Sequence, residues 1–186
     1  MSDSMDGLSL IELLCTLAII TALTTAALPA WQPLVQQQEG KRVMRGLVSL
    51  LNNARTAAVQ ENQPVTVCPA APDSLQCDST WSRGAIAFID PPGHRKASDD
   101  TLLHRLQWPA NSGELRWRAF GNRQYLVINS RGQIRHQSGN FTWCPADADP
   151  RQARQLVLNA VGRIRVARDR DGDGIRENSR GHPLTC

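Results

Sequence analysis

The chain has 186 residues, 41% of them apolar, and a formal net charge of +4, which excludes a second core of ordinary size. Of its 21 basic residues only Lys41 and Lys96 are Lys, and the rest carry the planar Arg fork that suits phosphates and carboxylates. Residues 151 to 186 hold eight of these Arg against Asp169, Asp171, Asp173 and Glu177, so the basic excess gathers in the tail and points to a polyanionic partner, although a genome rich in Arg codons gives the same composition.

The predicted elements begin with seven hydrophilic residues, MSDSMDG, followed by the apolar run LSLIELLCTLAIITALTTAAL, residues 8 to 28. A secretory signal would show a basic start, a shorter apolar stretch and a small-x-small site after it. Here any cut falls before the run, which is therefore expected to stay as a transmembrane helix. Nothing after Leu28 is apolar enough to span again. Glu12 stands near the start of the run, where a carboxylate costs up to about 2.5 to 3.5 kcal/mol and persists mainly by gaining a partner.

From residue 29 to 62 apolar residues recur at Val43, Leu47, Leu50, Leu51, Ala54 and Ala58 with Arg and Asn between them. This spacing predicts an amphipathic continuation of the helix to about Gln60, stopped by Pro64. Strand-like pieces follow: PVTVC, GAIAFID, ELRWRAF, QYLVIN, GQIRH, NFTWC, RQLVLN and GRIRVAR. Their alternation fits antiparallel sheets packed on the helix, with PPGHRKASDD (residues 91 to 100) as an exposed loop. The fold class expected is α+β, with a β-rich head over residues 63 to 186.

Cys15 sits inside the apolar run, which leaves Cys68, Cys77, Cys144 and Cys186 as an even set with no zinc-like spacing. Two disulfides in an oxidising compartment are expected. Of the three connectivities, Cys68 with Cys77 closes a short loop and Cys144 with Cys186 ties down the chain end. No catalytic constellation is present: His94, His104, His136 and His182 are scattered and no nucleophile motif surrounds a Ser.

The string Gly7-Leu8-Ser9-Leu10-Ile11-Glu12-Leu13-Leu14 resembles the processing site of type IV pilins and of the pseudopilins of type II secretion. The resemblance implies that a prepilin peptidase cuts after Gly7 and methylates Leu8, and that Glu12 meets the amino terminus of a neighbouring pilin in a filament. Pro29 falls where such proteins commonly have a kinking proline. The leader carries Asp3 and Asp6 and no basic residue, unlike most family leaders. The body, through LLNNARTAAVQENQPVTVC, WSRGAIAFID and ARQLVLNAVGRIRV, resembles the FimT, FimU and GspH group of minor pilins and pseudopilins. That implies an inner-membrane protein with a periplasmic head, reaching the cell surface in a pilus.

Within that group, FimT-like pilins that bind DNA for natural transformation carry G-R-x-R, here Gly162-Arg163-Ile164-Arg165. On a strand, Arg163 and Arg165 would share one face while Ile164 and Val166 take the other, with Arg168 and Arg170 just beyond. Gly162 would let the backbone turn or approach a phosphate. Such a patch reads the DNA backbone without sequence preference. An assembly role through protein contacts alone, as a priming or tip pilin or as an H-type pseudopilin, is the alternative. The stretch D-R-D-G-D-G, residues 169 to 174, matches the first half of a calcium loop, but Arg180 stands where the closing acid belongs. A polar turn whose acids pair with neighbouring Arg is expected there, with an open calcium turn of Asp169, Asp171 and Asp173, completed by Glu177, as the other reading.

Overall fold

The computed structural model describes residues 9–109, 113–134 and 137–186, and side chains in residues 26–34 are not among those described. The leader and the bond between Gly7 and Leu8 thus lie outside the described residues, as do Arg135 and His136. The chain divides into two compact units, Met1–Val35 and Gln36–Cys186. One helix, α1 (Leu10–Gln60), begins in the first and ends in the second.

In the first unit every described residue from Ser9 to Thr25 is exposed, including Leu10, Ile11, Leu13, Leu14, Leu17, Ile19, Ile20 and Leu23. The Ser9 carbonyl accepts the amides of Glu12 and Leu13, so Glu12 lies in the first turn, where the helix dipole favours a negative charge. Thr16, Thr21, Thr24 and Thr25 each return their hydroxyl to a carbonyl three or four residues back, at 2.8 to 3.0 Å. That satisfies the donors within the helix and lowers their cost in an apolar setting. Among the described residues no helix is long and apolar enough to cross a membrane. The predicted span of residues 8 to 28 extends past the described residues at its start and past the described side chains at its end.

In the second unit α1 buries Val43, Met44, Leu47, Leu50, Leu51, Ala54 and Ala58, the predicted stripe with Met44 added. The helix ends at Gln60, ahead of Pro64 as expected. Two four-stranded antiparallel sheets share this stripe in one core. The first has the order β3 (Leu102–Gln107), β2 (Gly84–Ile89), β1 (Val65–Pro69), β5 (Leu126–Ile128). The second has the order β4 (Glu114–Ala119), β6 (Gly139–Cys144), β7 (Arg154–Leu158), β8 (Ile164–Val166). Small residues set the approach of helix to sheet: a Cβ on Gly40 would come within 2.6 Å of the Trp143 ring, and one on Gly46 within 3.2 Å of Leu106 and Trp108. Trp81, Trp117 and Phe141 meet edge-on or tilted at centroid distances of 4.3 to 6.4 Å.

Most predicted strands appear. GQIRH does not form a strand over its described residues, since Ile134 makes only an isolated bridge to Ile128. The edge strand β3, in TLLHRLQ, was not anticipated, because its residues are mostly half-buried and do not alternate. The exposed loop is tied down by buried Asp90, whose carboxylate accepts the amides of His94 and Arg95 and the Thr66 hydroxyl. The structure joins Cys68 to Cys77 and Cys144 to Cys186, the expected pairs, and leaves Cys15 free and exposed.

Arg154 on β7 sits beside Trp143 in register and is only 8% exposed. Its Nε and Nη2 have no hydrogen-bond partner among the described residues. Burial pushes its pKa down, and the like charge of Arg176 adds to the effect. An unsatisfied buried cation destabilises the fold more than an apolar side chain of similar length. Arg154→Met is therefore expected to raise stability by about 1 to 3 kcal/mol, read by urea unfolding of the full chain in detergent; a fall in stability would contradict it.

Candidate nucleic-acid interface

The site begins at a tight turn. Gly162 has φ +83 and donates its amide to the Asn159 carbonyl, and the Arg163 amide donates to Asn159 Oδ1 at 2.8 Å. A Cβ at Gly162 would lie 2.8 Å from the Gly132 carbonyl oxygen, so glycine is needed for both the turn and the packing. Gly162 is buried, which favours its turning role over a phosphate approach.

Strand β8 is an edge strand, and its register sets the side chains. Ile164 and Val166 pair with Leu158 and Leu156, which face the core, while Arg165 pairs with Val157 on the outer face. Arg163 enters just before the strand and is exposed, as is Arg165. Beyond β8 the Ala167 amide returns to the Gln155 carbonyl, and the chain then rises into the acidic turn. Arg163, Arg165, Arg168 and Arg170 all line one open groove of about 690 Å³, together with Val157, Glu177 and Asn178. The residues expected to form the patch are thus brought together, apart from Gly162.

The acidic turn does not pair with these Arg side chains. Among the described residues the ion pairs are Arg83 with Asp78 and Arg116 with Glu114 only. Backbone amides satisfy the acids instead: Asp169 accepts from Gly172 and Gly174, Asp171 from Asp173, Asp173 from Ile175, and buried Glu177 from Arg170. This corrects the expectation of Arg partners, and the reason is local: Gly172 and Gly174 adopt positive φ and turn the amides inward. Carboxylate oxygens of Asp169, Asp171, Asp173 and Glu177 lie within 4.8 Å of one another, an all-oxygen donor set of the kind a hard cation takes.

From Arg176 the chain runs back as a strap to Cys186. Leu184 donates to the Arg176 carbonyl, Arg176 Nη1 reaches the carbonyls of Arg151 and Ala153, and Cys186 bonds covalently to Cys144 on β6. The strap divides the outer surface of the second sheet. Asn178 and Ser179 border both the groove above and another of about 340 Å³ that contains Arg116, Arg118, Asn140, Thr142, Gln155 and Arg180. The Arg-Trp-Arg alternation of β4 carried a signal for this second groove: Leu115 and Trp117 are buried and Arg116 and Arg118 are exposed. Arg116 holds the Glu114 carboxyl below its usual range mainly through their hydrogen bond; burial opposes this, and the positive charge of Arg116 adds a smaller lowering.

A long amino-terminal helix against two antiparallel sheets is the architecture of type IV pilins. The structure is similar to the type IV minor pilin FimU of Pseudomonas aeruginosa at 18% identity and a TM-score of 0.51, over 85% of this chain and 99% of that one. The minor pseudopilin EpsH from the type 2 secretion system of Vibrio cholerae aligns over 69% of this chain and 92% of that one, at 12% identity and a TM-score of 0.45. Residues 44–162 match the family model for type II transport protein GspH, and the chain belongs to that family. No curated protein matches the sequence. The family match ends at Gly162, so the Arg groups from Arg163 onward, the acidic turn and the strap lie outside it.

The strap has a small apolar base of Ala153, Ala167 and Leu184 beside Cys186. A bridge over a separation of 42 residues contributes about 4 kcal/mol in the chain-entropy picture. Cys186→Ser should therefore open the strap before the core. Limited trypsin digestion is expected to cut after Arg176 and Arg180 faster than in the unaltered chain, and equal cutting rates would show that the backbone bonds suffice.

Proposed function

We propose that this minor pilin binds extracellular DNA through Arg163, Arg165, Arg168 and Arg170 and supports DNA uptake in natural transformation. The observation that supports the reading is the groove itself: it gathers four guanidinium groups, none with an acid within ion-pair distance among the described residues. Unneutralised Arg on an open surface suits repeated phosphates and carries no sequence preference. The alternative is an assembly role through protein contacts alone. The exposed apolar residues from Leu10 to Leu23 favour filament contacts with other pilins in either case. The same segment would anchor the chain in the inner membrane with the head in the periplasm, after a prepilin peptidase has cut behind Gly7 and methylated Leu8.

Replacing Arg163 and Arg165 together by Ala should weaken binding alike for unrelated duplexes. It should also flatten the plot of log affinity against log salt by about 0.9 per lost contact, roughly two units for the pair. Transformation should fall while pili still form. An unchanged slope in a folded double variant, with pili or secretion lost instead, favours the assembly role.

Processing has its own check. Mass spectrometry of protein extracted from membranes should find a chain beginning at methylated Leu8, and an intact Met1 in a host with active prepilin peptidase would refute it.

A further inference from the structure

The second groove adjoins the first across the strap, and the sheet register relates the two. Arg118 pairs with Asn140, Asn140 with Val157, and Val157 with Arg165, so both Arg stand in one row over the outer face. Three strand spacings separate them, about 14 Å. Arg180 stands on the strap and lines the second groove, next to Asn178 and Ser179, which border both. Its amide and that of His182 are both held by Asn178 Oδ1, at 2.8 and 3.2 Å.

Charge distinguishes the Arg groups of this groove. Arg116 is neutralised by Glu114, whereas Arg118 and Arg180 have no acid within ion-pair distance among the described residues. Asn140, Thr142 and Gln155 form a polar floor, and no Asp or Glu side chain lines the groove. Gln155 donates to Thr142 at 3.0 Å and is 6% exposed, and its Oε1 has no partner among the described residues. A floor of amides and a hydroxyl can hydrogen-bond a sugar-phosphate backbone, and unpaired guanidinium groups supply the attraction.

We propose that the second groove extends the DNA track, with Arg118 and Arg180 contacting phosphates on the far side of the strap from Arg163 and Arg165. The proposal rests on the DNA reading of the first groove and adds a second stretch of contact to it. Bound DNA then runs across the sheet and over the strap instead of along the β8 edge alone.

The test uses the full chain in a non-ionic detergent and a labelled duplex of mixed sequence, followed by fluorescence anisotropy over a range of salt. Arg118→Ala with Arg180→Ala is expected to weaken binding and to flatten the salt plot by about 0.9 per contact, roughly two units. Arg95→Ala with Lys96→Ala, an equal loss of charge beside the first sheet, is the control and should leave the slope unchanged. Circular dichroism checks folding, and Arg118→Gln with Arg180→Gln is used if the first variant fails to fold. A slope unchanged at 118 and 180 but flattened at 163 and 165 overturns the extension and leaves the first groove as the site. No change in either pair overturns the DNA reading and the extension together. Equal flattening in the control also overturns the extension, because general charge would then explain the effect.

Discussion

The head depends on burying one stripe of α1, from Val43 to Ala58. An amphipathic helix of this length is not stable in water by propensity alone, and its stability comes from what covers the apolar face. Here both sheets cover it, and their inner faces are spent on it: Leu115, Trp117, Phe141, Trp143, Leu156 and Leu158 of the second sheet point to the shared core. Gly40 is the price of that contact, since the Trp143 ring occupies the space a side chain would need. With the inner faces committed, every second residue of β4, β6, β7 and β8 is left facing out, and this outer face can carry polar and basic groups with little effect on the core.

The electrostatics of that face follow from where the acids go. Asp169, Asp171, Asp173 and Glu177 lie close in sequence to Arg168 and Arg170, and a simple count of charge would cancel them. The turn directs backbone amides at the carboxylates, so the acids keep their own charge but form no ion pair with a guanidinium group among the described residues. The Arg side chains are left without an ion-pair partner as well.

Much of this architecture was legible in the sequence because it rests on periodicity. The helical stripe, its end before Pro64 and most strands follow from spacing of 3.6 or 2, and the disulfide pairs follow from an even count and loop length. The separation of Arg163 and Arg165 from Ile164 and Val166 was likewise readable, because pairing with β7 obeys the same alternation. What escaped depends on contacts between distant parts. Strand β3 lacks alternation because it is half-buried at an edge. The inward turn of the amides around Asp169 depends on the conformations of Gly172 and Gly174. The presence of Arg118 and Arg180 in one groove needs the strap to cross the sheet, and neither residue signals that by itself. Asp90 reads as one more acid at a loop, yet its burial lets it organise that loop and hold Thr66.

The bond between Cys144 and Cys186 also defines how the head would respond to mechanical load. Strand β8 lies at the edge and is held by a single neighbour, so tension on it could peel the ladder one hydrogen bond at a time. The strap ends instead on β6, which is flanked by β4 on one side and β7 on the other. Tension entering through the strap passes along a covalent link into a strand whose two ladders would have to shear together. The route by which force leaves the strap is therefore the mechanically stronger part of the sheet.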